Sequence, residues 1–255
     1  MAREAAGNLL PPSNVEPNAE GEDLAVPLPR EWDLEALREM QVTLYSGKIS
    51  PPCCKIRFLL EFYQVPHTLV DGKKPGSTYQ KIPVLDIGDR QINDSFIIVK
   101  SLAPILQGRP LTLDELEIER QVTFGLMVAA EKQTASSIQE LCSCGALLGG
   151  CMGCLLRSSS CALSCVAPRK IGAGKDLRSM QEYGDMLREH IGAGSFMGGG
   201  DKPSVLDVSV FGVLEPFNRA GCSCIDDLLG DSGNALRSWH NRMRAATAEV
   251  NIFGS

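Results

Sequence analysis

The sequence predicts a small α/β domain followed by an all-helical domain, and three observations carry that prediction. Strand-like runs and helical periods alternate between Val42 and Leu106, a hairpin signal lies within that stretch, and beyond Leu113 only helical periods occur. At 255 residues the chain can bury one large core or two modest ones.

The elements run in order along the chain. Residues 1–38 are rich in Pro, Asn, Gly, Glu and Ala without periodicity and are expected to be a disordered tail, with Trp32, Leu34, Leu37 and Met40 as a short lead-in onto the body. Val42–Tyr45 reads as a strand and 53–64 as a helix with apolar Ile56, Leu59, Leu60 and Tyr63. Strands are expected at His67–Val70, Ile82–Ile87 and Gln91–Ile92, the last two joined by the turn Gly88-Asp89, and a helix at Ser95–Leu106. That β-α-β…β-β-α order is thioredoxin-like and is assigned to 39–106. Residues 107–113, with Gly108 and Pro110, read as a linker, and 114–250 as the helical domain, with helices near 114–141, 175–190, 204–219 and 234–249.

The helix expected at 204–219 carries its own start signal. In Ser204-Val-Leu-Asp207 the serine hydroxyl can accept from the amide three residues on while the aspartate reaches back, a capping box with Asp in the usual Glu position. Val205, Leu206, Val208, Val210, Phe211, Val213 and Leu214 surround nearly the whole helix, which predicts burial. Loss of Ser204 or Asp207 to Ala is expected to cost about 1 kcal/mol each.

Composition narrows the function. An apolar content of 44% with 22% charged residues is globular, and a net charge of −6 supplies no basic stripe, so nucleic acid is not an expected partner. Met1-Ala-Arg-Glu has no apolar core before Pro11 and Pro12, so no secretory signal is expected. Glu16, Glu20, Glu22 and Asp23 argue against a transit peptide. The expected place is inside the cell, in the cytoplasm or peripheral to a membrane. There the ten cysteines should be mostly reduced, without a disulfide framework.

The chemistry-bearing segment is Ser50-Pro-Pro-Cys53-Cys54-Lys-Ile-Arg57, between the first strand and the first helix. A cysteine at a helix N-terminus meets unpaired N–H groups and the positive end of the dipole, which favours thiolate. Here the pattern expected for a two-cysteine redox loop has a serine in first place, so a disulfide cycle through Ser50 is excluded.

With Lys81-Ile82-Pro83-Val-Leu85, Gln91-Ile-Asn-Asp94-Ser95, the Phe196…Leu214 segment and Trp239-His-Asn-Arg-Met243, this loop resembles the glutathione transferase superfamily, and within it the type-2 (membrane-associated) prostaglandin E synthases. The resemblance covers roughly residues 40–106 and 180–245. It implies a transferase-type all-α second domain and a cis Pro83 that leaves the Ile82 N–H and C=O free to pair with the cysteinyl backbone of glutathione. It also implies that Asp94 and Ser95 hold the γ-glutamyl end; capping of the helix they open is the other reading of that pair.

The implied activity is glutathione-dependent isomerisation or transfer on a small apolar or lipid-derived electrophile. The competing class is a binding or scaffold protein that has lost the chemistry. The resemblance also raises haem, for which the sequence shows no ligand, a homodimer and peripheral membrane contact.

Departures from the family bear on mechanism. The family's first motif cysteine falls on Ser50, its second is kept as Cys53, and a tyrosine three residues before the first falls on Gly47. Three readings stay open: Ser50 donates to the glutathione thiolate, Cys53 or Cys54 forms a mixed disulfide with glutathione, or the site binds without catalysis.

Six further cysteines crowd between Cys142 and Cys165. Cys151-x-x-Cys154 with Cys142 and Cys144 has zinc-ligand spacing, but the intervening Leu, Met, Ala and Gly read better as an apolar core or membrane-facing helix, and no metal is expected. These cysteines could also be palmitoylated. His67, His190 and His240 are isolated and read as structural or surface residues.

Overall fold

A computed structural model describes residues 28–134 and 177–252, apart from 30, 49, 78, 192, 193 and 251. The cysteine-rich stretch 142–165, with its zinc, membrane and palmitoylation readings, lies outside the described residues, as does the tail up to residue 27. Within the expected 1–38 tail, however, Leu34–Glu39 is a helix (α1), capped by Asp33, whose side chain accepts from Ala36 N. Leu37 is fully buried, and Trp32, Leu34 and Met40 pack on the core, so an apolar anchor orders this lead-in before residue 39.

The elements then run β1 (Val42–Ser46), α2 (Pro51–Phe62), β2 (Thr68–Asp71), β3 (Val84–Ile87), β4 (Arg90–Asn93) and α3 (Ser95–Gln107). The sheet order is β2-β1-β3-β4, with β1 parallel to β2 and antiparallel to β3, and β3 antiparallel to β4. This is a thioredoxin-like sheet. Because side chains alternate across a strand, register sorts its two faces. Val42, Leu44, Leu85, Ile87 and Ile92 join one buried cluster with Ile56, Leu59 and Leu60 of α2 and Ile98, Val99 and Leu102 of α3.

The opposite face is largely polar and is tied to the 72–83 loop. Lys74 Nζ pairs with Asp86 at 2.7 Å, and Gln91 Nε2 donates to Ser77 Oγ at 3.0 Å. The expected strand at Ile82 starts two residues later, at Val84, just after Pro83, which has no N–H to give a ladder, and the Ile82–Pro83 peptide is cis.

The helical half contains α4 (Leu113–Gln121), continued by a π turn (Val122–Leu126), then α5 (Met180–Ile191), α6 (Val205–Arg219), α7 (Ser223–Leu229) and α8 (Ala235–Ala246). α4 starts on a second capping box, in which Thr112 and Glu115 cap each other's backbone. α6 packs on α2 and α3, and α8 on α5 and α6. The box read at Ser204 is present in full, and every residue from Val205 to Leu214 is buried. Among the described residues no helix is long and apolar enough to cross a membrane.

Candidate functional site

The site is organised by the first turn of α2. Ser50 is its N-cap and Pro51 and Pro52 open it, a place where proline is tolerated because the first amides of a helix have no intrahelical partner. The helix therefore begins two residues earlier than the sequence pattern suggests. That shift removes the free amides expected beside the cysteines. The two prolines carry no N–H, and the next two amides, of Cys53 and Cys54, donate to the Ser50 carbonyl at 2.9 and 2.8 Å. Backbone donors that normally greet an anion at a helix start are thus missing or occupied.

The cysteines sit deeper than an attacking thiol needs. Cys53 and Cys54 are both 0% exposed. Burial pushes the Cys54 thiol up to about 11, outweighing the pull of Arg57. The thiolate-favouring environment expected from the helix dipole is not what Cys54 experiences; desolvation dominates.

Ser50 is different. It is half-buried, and its side chain makes no hydrogen bond to the helix it caps. The loop before it lies against Ile82: a Cβ placed on Gly47 would stand 3.0 Å from Ile82 Cδ1 and 3.5 Å from Ser50 Cβ. Ile82 is thus close-packed over the position where the family has a tyrosine, and a side chain there requires Ile82 to give way.

Pairing of Val84 with Asn93 sets cis-Pro83 beside the start of α3. There Asp94, half-buried, adopts φ 71° and ψ 132°, a conformation rare for a residue with a side chain. Its Oδ1 accepts from Phe96 N at 2.9 Å, so the capping role read for Asp94 is present, and Ser95 is buried as the first helical residue. Register and packing thus bring Ser50, Ile82, Pro83, Asp94 and Ser95 to one end of the sheet, with Cys53 one turn beneath the surface.

Tyr79 belongs to this end and sequence reasoning missed it. It is 4% exposed, and burial drives its hydroxyl pKa well up, helped by the Asp94 carboxylate and by Cys53. Its amide donates to Ser77 Oγ at 3.1 Å, on the loop pinned by Gln91. A non-periodic loop gives no local sign that one of its side chains is buried.

Comparisons with known proteins bear on the fold. No protein-family model matches the chain. It is 29% identical over 85 residues to prostaglandin E synthase 2 of Danio rerio, covering 31% of this chain and 22% of that protein. It is 30% identical over 115 residues to prostaglandin E synthase 2 of Mus musculus, covering 41% and 28%. The matched stretch thus spans less than a third of either relative's length.

Among solved structures, a rice glutathione S-transferase in complex with glutathione superposes with a TM-score of 0.51 at 16% identity, covering 83% of this chain and 90% of that one. Human glutathione-S-transferase T1-1, apo form, gives 0.50 at 16% identity, covering 82% and 84%. These likenesses show the fold: a thioredoxin-like half followed by a helical half. The chain thus has a glutathione S-transferase-like fold and a partial similarity to prostaglandin E synthase 2.

Proposed function

We propose that the chain binds glutathione at the N-terminal end of α2 and uses it in transfer or isomerisation on a small apolar or lipid-derived electrophile. One observation carries the reading. Ser50 occupies an N-cap without capping, at a helix end whose first two residues lack N–H and whose next two amides are occupied. An N-cap serine normally spends its hydroxyl on the helix; this one keeps it for a ligand.

In this reading Ser50 Oγ donates to the glutathione sulfur and favours its thiolate. A hydrogen bond to a charged group is worth about 1.5–3 kcal/mol, which corresponds to about 10- to 100-fold in rate or affinity. The Ile82 N–H and C=O pair with the cysteinyl backbone as an added strand would. Asp94 accepts from the γ-glutamyl ammonium, and Ser95 with nearby α3 amides meets its carboxylate. Support comes from the shared fold with a transferase solved with glutathione, and from the partial likeness to prostaglandin E synthase 2. Cys53, fully buried, is assigned no bond-forming role here. Nothing among the described residues supports the haem raised by the resemblance.

The second reading is a binding or scaffold protein without chemistry, favoured by the shortage of backbone donors at the α2 end. Retention on immobilised glutathione, then turnover with a generic electrophile, separates the two. Retention with turnover that falls in Ser50→Ala supports the enzyme, and no retention supports the scaffold. Activity abolished by Cys53→Ser and untouched by Ser50→Ala would overturn the role given to Ser50.

A further inference from the structure

The seam between the two halves holds a charge that the chemistry above leaves unused. Lys55 lies on α2 five residues beyond Ser50, with its side chain 0% exposed. Its Nζ donates to Glu119 Oε1 of α4 at 2.6 Å and to Thr123 Oγ1 of the π turn at 2.6 Å. Thr123 Oγ1 donates on to Glu119 Oε1 at 3.0 Å, and Ser209 Oγ of α6 donates to Glu119 Oε2 at 2.6 Å. All four side chains are buried. Less than one turn beyond Ser209, a Cβ on Gly212 would stand 2.7 Å from Lys55 Cα, so α6 and α2 touch backbone to backbone.

A buried ion pair is weak evidence of stability, since well-packed apolar residues often do as well; its better-attested use is to fix position. Here α4 and the π turn both bond one side chain of the helix that presents Ser50, and α6 joins them through Ser209 and Glu119. The Ser50 carbonyl is itself bonded to the amides of Cys53 and Cys54, so the first turn moves with the helix. Along the axis Lys55 is only about 7.5 Å from Ser50. A displacement of α2 on α6 would therefore be passed to the serine, and about 1 Å of misplacement at a reacting group can cost on the order of 100-fold in rate.

We infer that Lys55 is a positioning residue for Ser50, acting through a lock with Glu119, Thr123 and Ser209. The inference rests on the proposal that Ser50 stabilises the glutathione thiolate. Lys55→Met alone leaves Glu119 buried and unpaired, so the informative variant is the charge-free pair Lys55→Met with Glu119→Leu. Ser209→Ala serves as a milder probe that removes one hydrogen bond. Each is made with and without Ser50→Ala and assayed with glutathione and chlorodinitrobenzene.

In the parent, Ser50→Ala should lower kcat/KM by about 10- to 100-fold. In the charge-free seam the same change should cost less than about 3-fold, because the hydroxyl is already out of place. The seam variant itself should lose kcat while the KM for glutathione stays within about 2-fold, since the Ile82 and Asp94 contacts are untouched. A structural role alone lowers the amount of folded protein and leaves the Ser50→Ala factor unchanged; that result overturns the inference. Should the charge-free variant fail to fold, Ser209→Ala decides, with a Ser50→Ala factor reduced by about 3-fold expected and an undiminished factor contradicting it. A parent that neither binds nor turns over glutathione overturns the proposed function and this inference together. A parent that does both, with undiminished factors in the seam variants, overturns this inference alone.

Discussion

At the start of α6, Ser204 Oγ accepts from Asp207 N at 3.2 Å and donates to Asp207 Oδ2 at 2.6 Å, while Ser204 N donates to the same oxygen at 2.9 Å. Asp207 Oδ1 also accepts from Met197 N at 2.8 Å and from Trp239 Nε1 at 2.7 Å. At the start of α2, Ser50 occupies the equivalent N-cap and makes no cap hydrogen bond. The same residue type at the same helical position is in one case consumed by the fold and in the other left available. The difference lies in the three residues after each serine. Asp207 three residues on completes a box, whereas Pro51 and Pro52 remove the first amides and Cys53 offers no acceptor for Ser50 N. A serine at a helix start that offers its hydroxyl no amide is a better pointer to function than the residue type alone.

The contrast is broken most severely at Asp207. Asp207→Ala leaves the Ser204 amide and hydroxyl, the Met197 amide and the Trp239 indole without their acceptor, four buried or half-buried donors. The expected loss is about 3 kcal/mol or more in urea unfolding, well above the 1 kcal/mol that capping alone predicts. A parent-like denaturation midpoint would show that the box and its long-range partners are ornamental.

Acid should attack the same helix at its other end. Glu215 is 1% exposed; burial works to raise its carboxyl pKa, but His240, Arg219 and Arg244 outweigh it and hold it at about 2 against the usual 4.5. Its folded pKa is depressed, so the stability it contributes is present above about 4.5 and is lost as pH falls toward about 2. Glu215→Gln should flatten this acid limb, with on the order of 1–3 kcal/mol lost at neutral pH. An acid limb unchanged in the variant contradicts the assignment.

Smaller effects sharpen the serine comparison itself. Ser204→Ala should cost about 1 kcal/mol, while Ser50→Ala should change stability by no more than about 0.5 kcal/mol. Thermal melts of the two variants side by side decide this. A destabilisation by Ser50→Ala equal to that of Ser204→Ala would mean that Ser50 is structural. Thiol labelling of the native protein gives a further check: half-buried Cys222 should react before Cys53, Cys54 and Cys224, whose side chains are at most 1% exposed. Peptide mapping that finds Cys53 labelled first would return the thiol to the candidate chemistry.

Legibility in the sequence tracks the range of the interactions. The Ser204–Asp207 box, the Gly88-Asp89 hairpin and the strand and helix order of the first half are local patterns within a few residues, and they are legible. The Thr112–Glu115 box is equally local, yet the linker reading of 107–113 hid it. The lock of Lys55 with Glu119 and Ser209, and the reach of Asp207 to Trp239, join residues 32 to 90 positions apart and leave no local trace. α7 is only seven residues long, too short for its period to stand out.

At the site, the motif residues are legible but their chemistry is not. A helix taken to begin at 53 rather than 51 places Cys53 among free amides; the true start places prolines there and buries the cysteine. A boundary shift of two residues, ordinary in sequence reading, changes which amides the helix start offers and counts against the cysteine reading, while the Ser50 reading is already open from the sequence.

The most direct test is an ultraviolet titration of the glutathione thiol bound to the parent protein and to Ser50→Ala. The account predicts a bound thiol pKa in the parent well below the free-thiol range of about 8.5, rising by about 1 to 2 units when Ser50 is replaced. A bound thiol that titrates at the same pH in both proteins contradicts it.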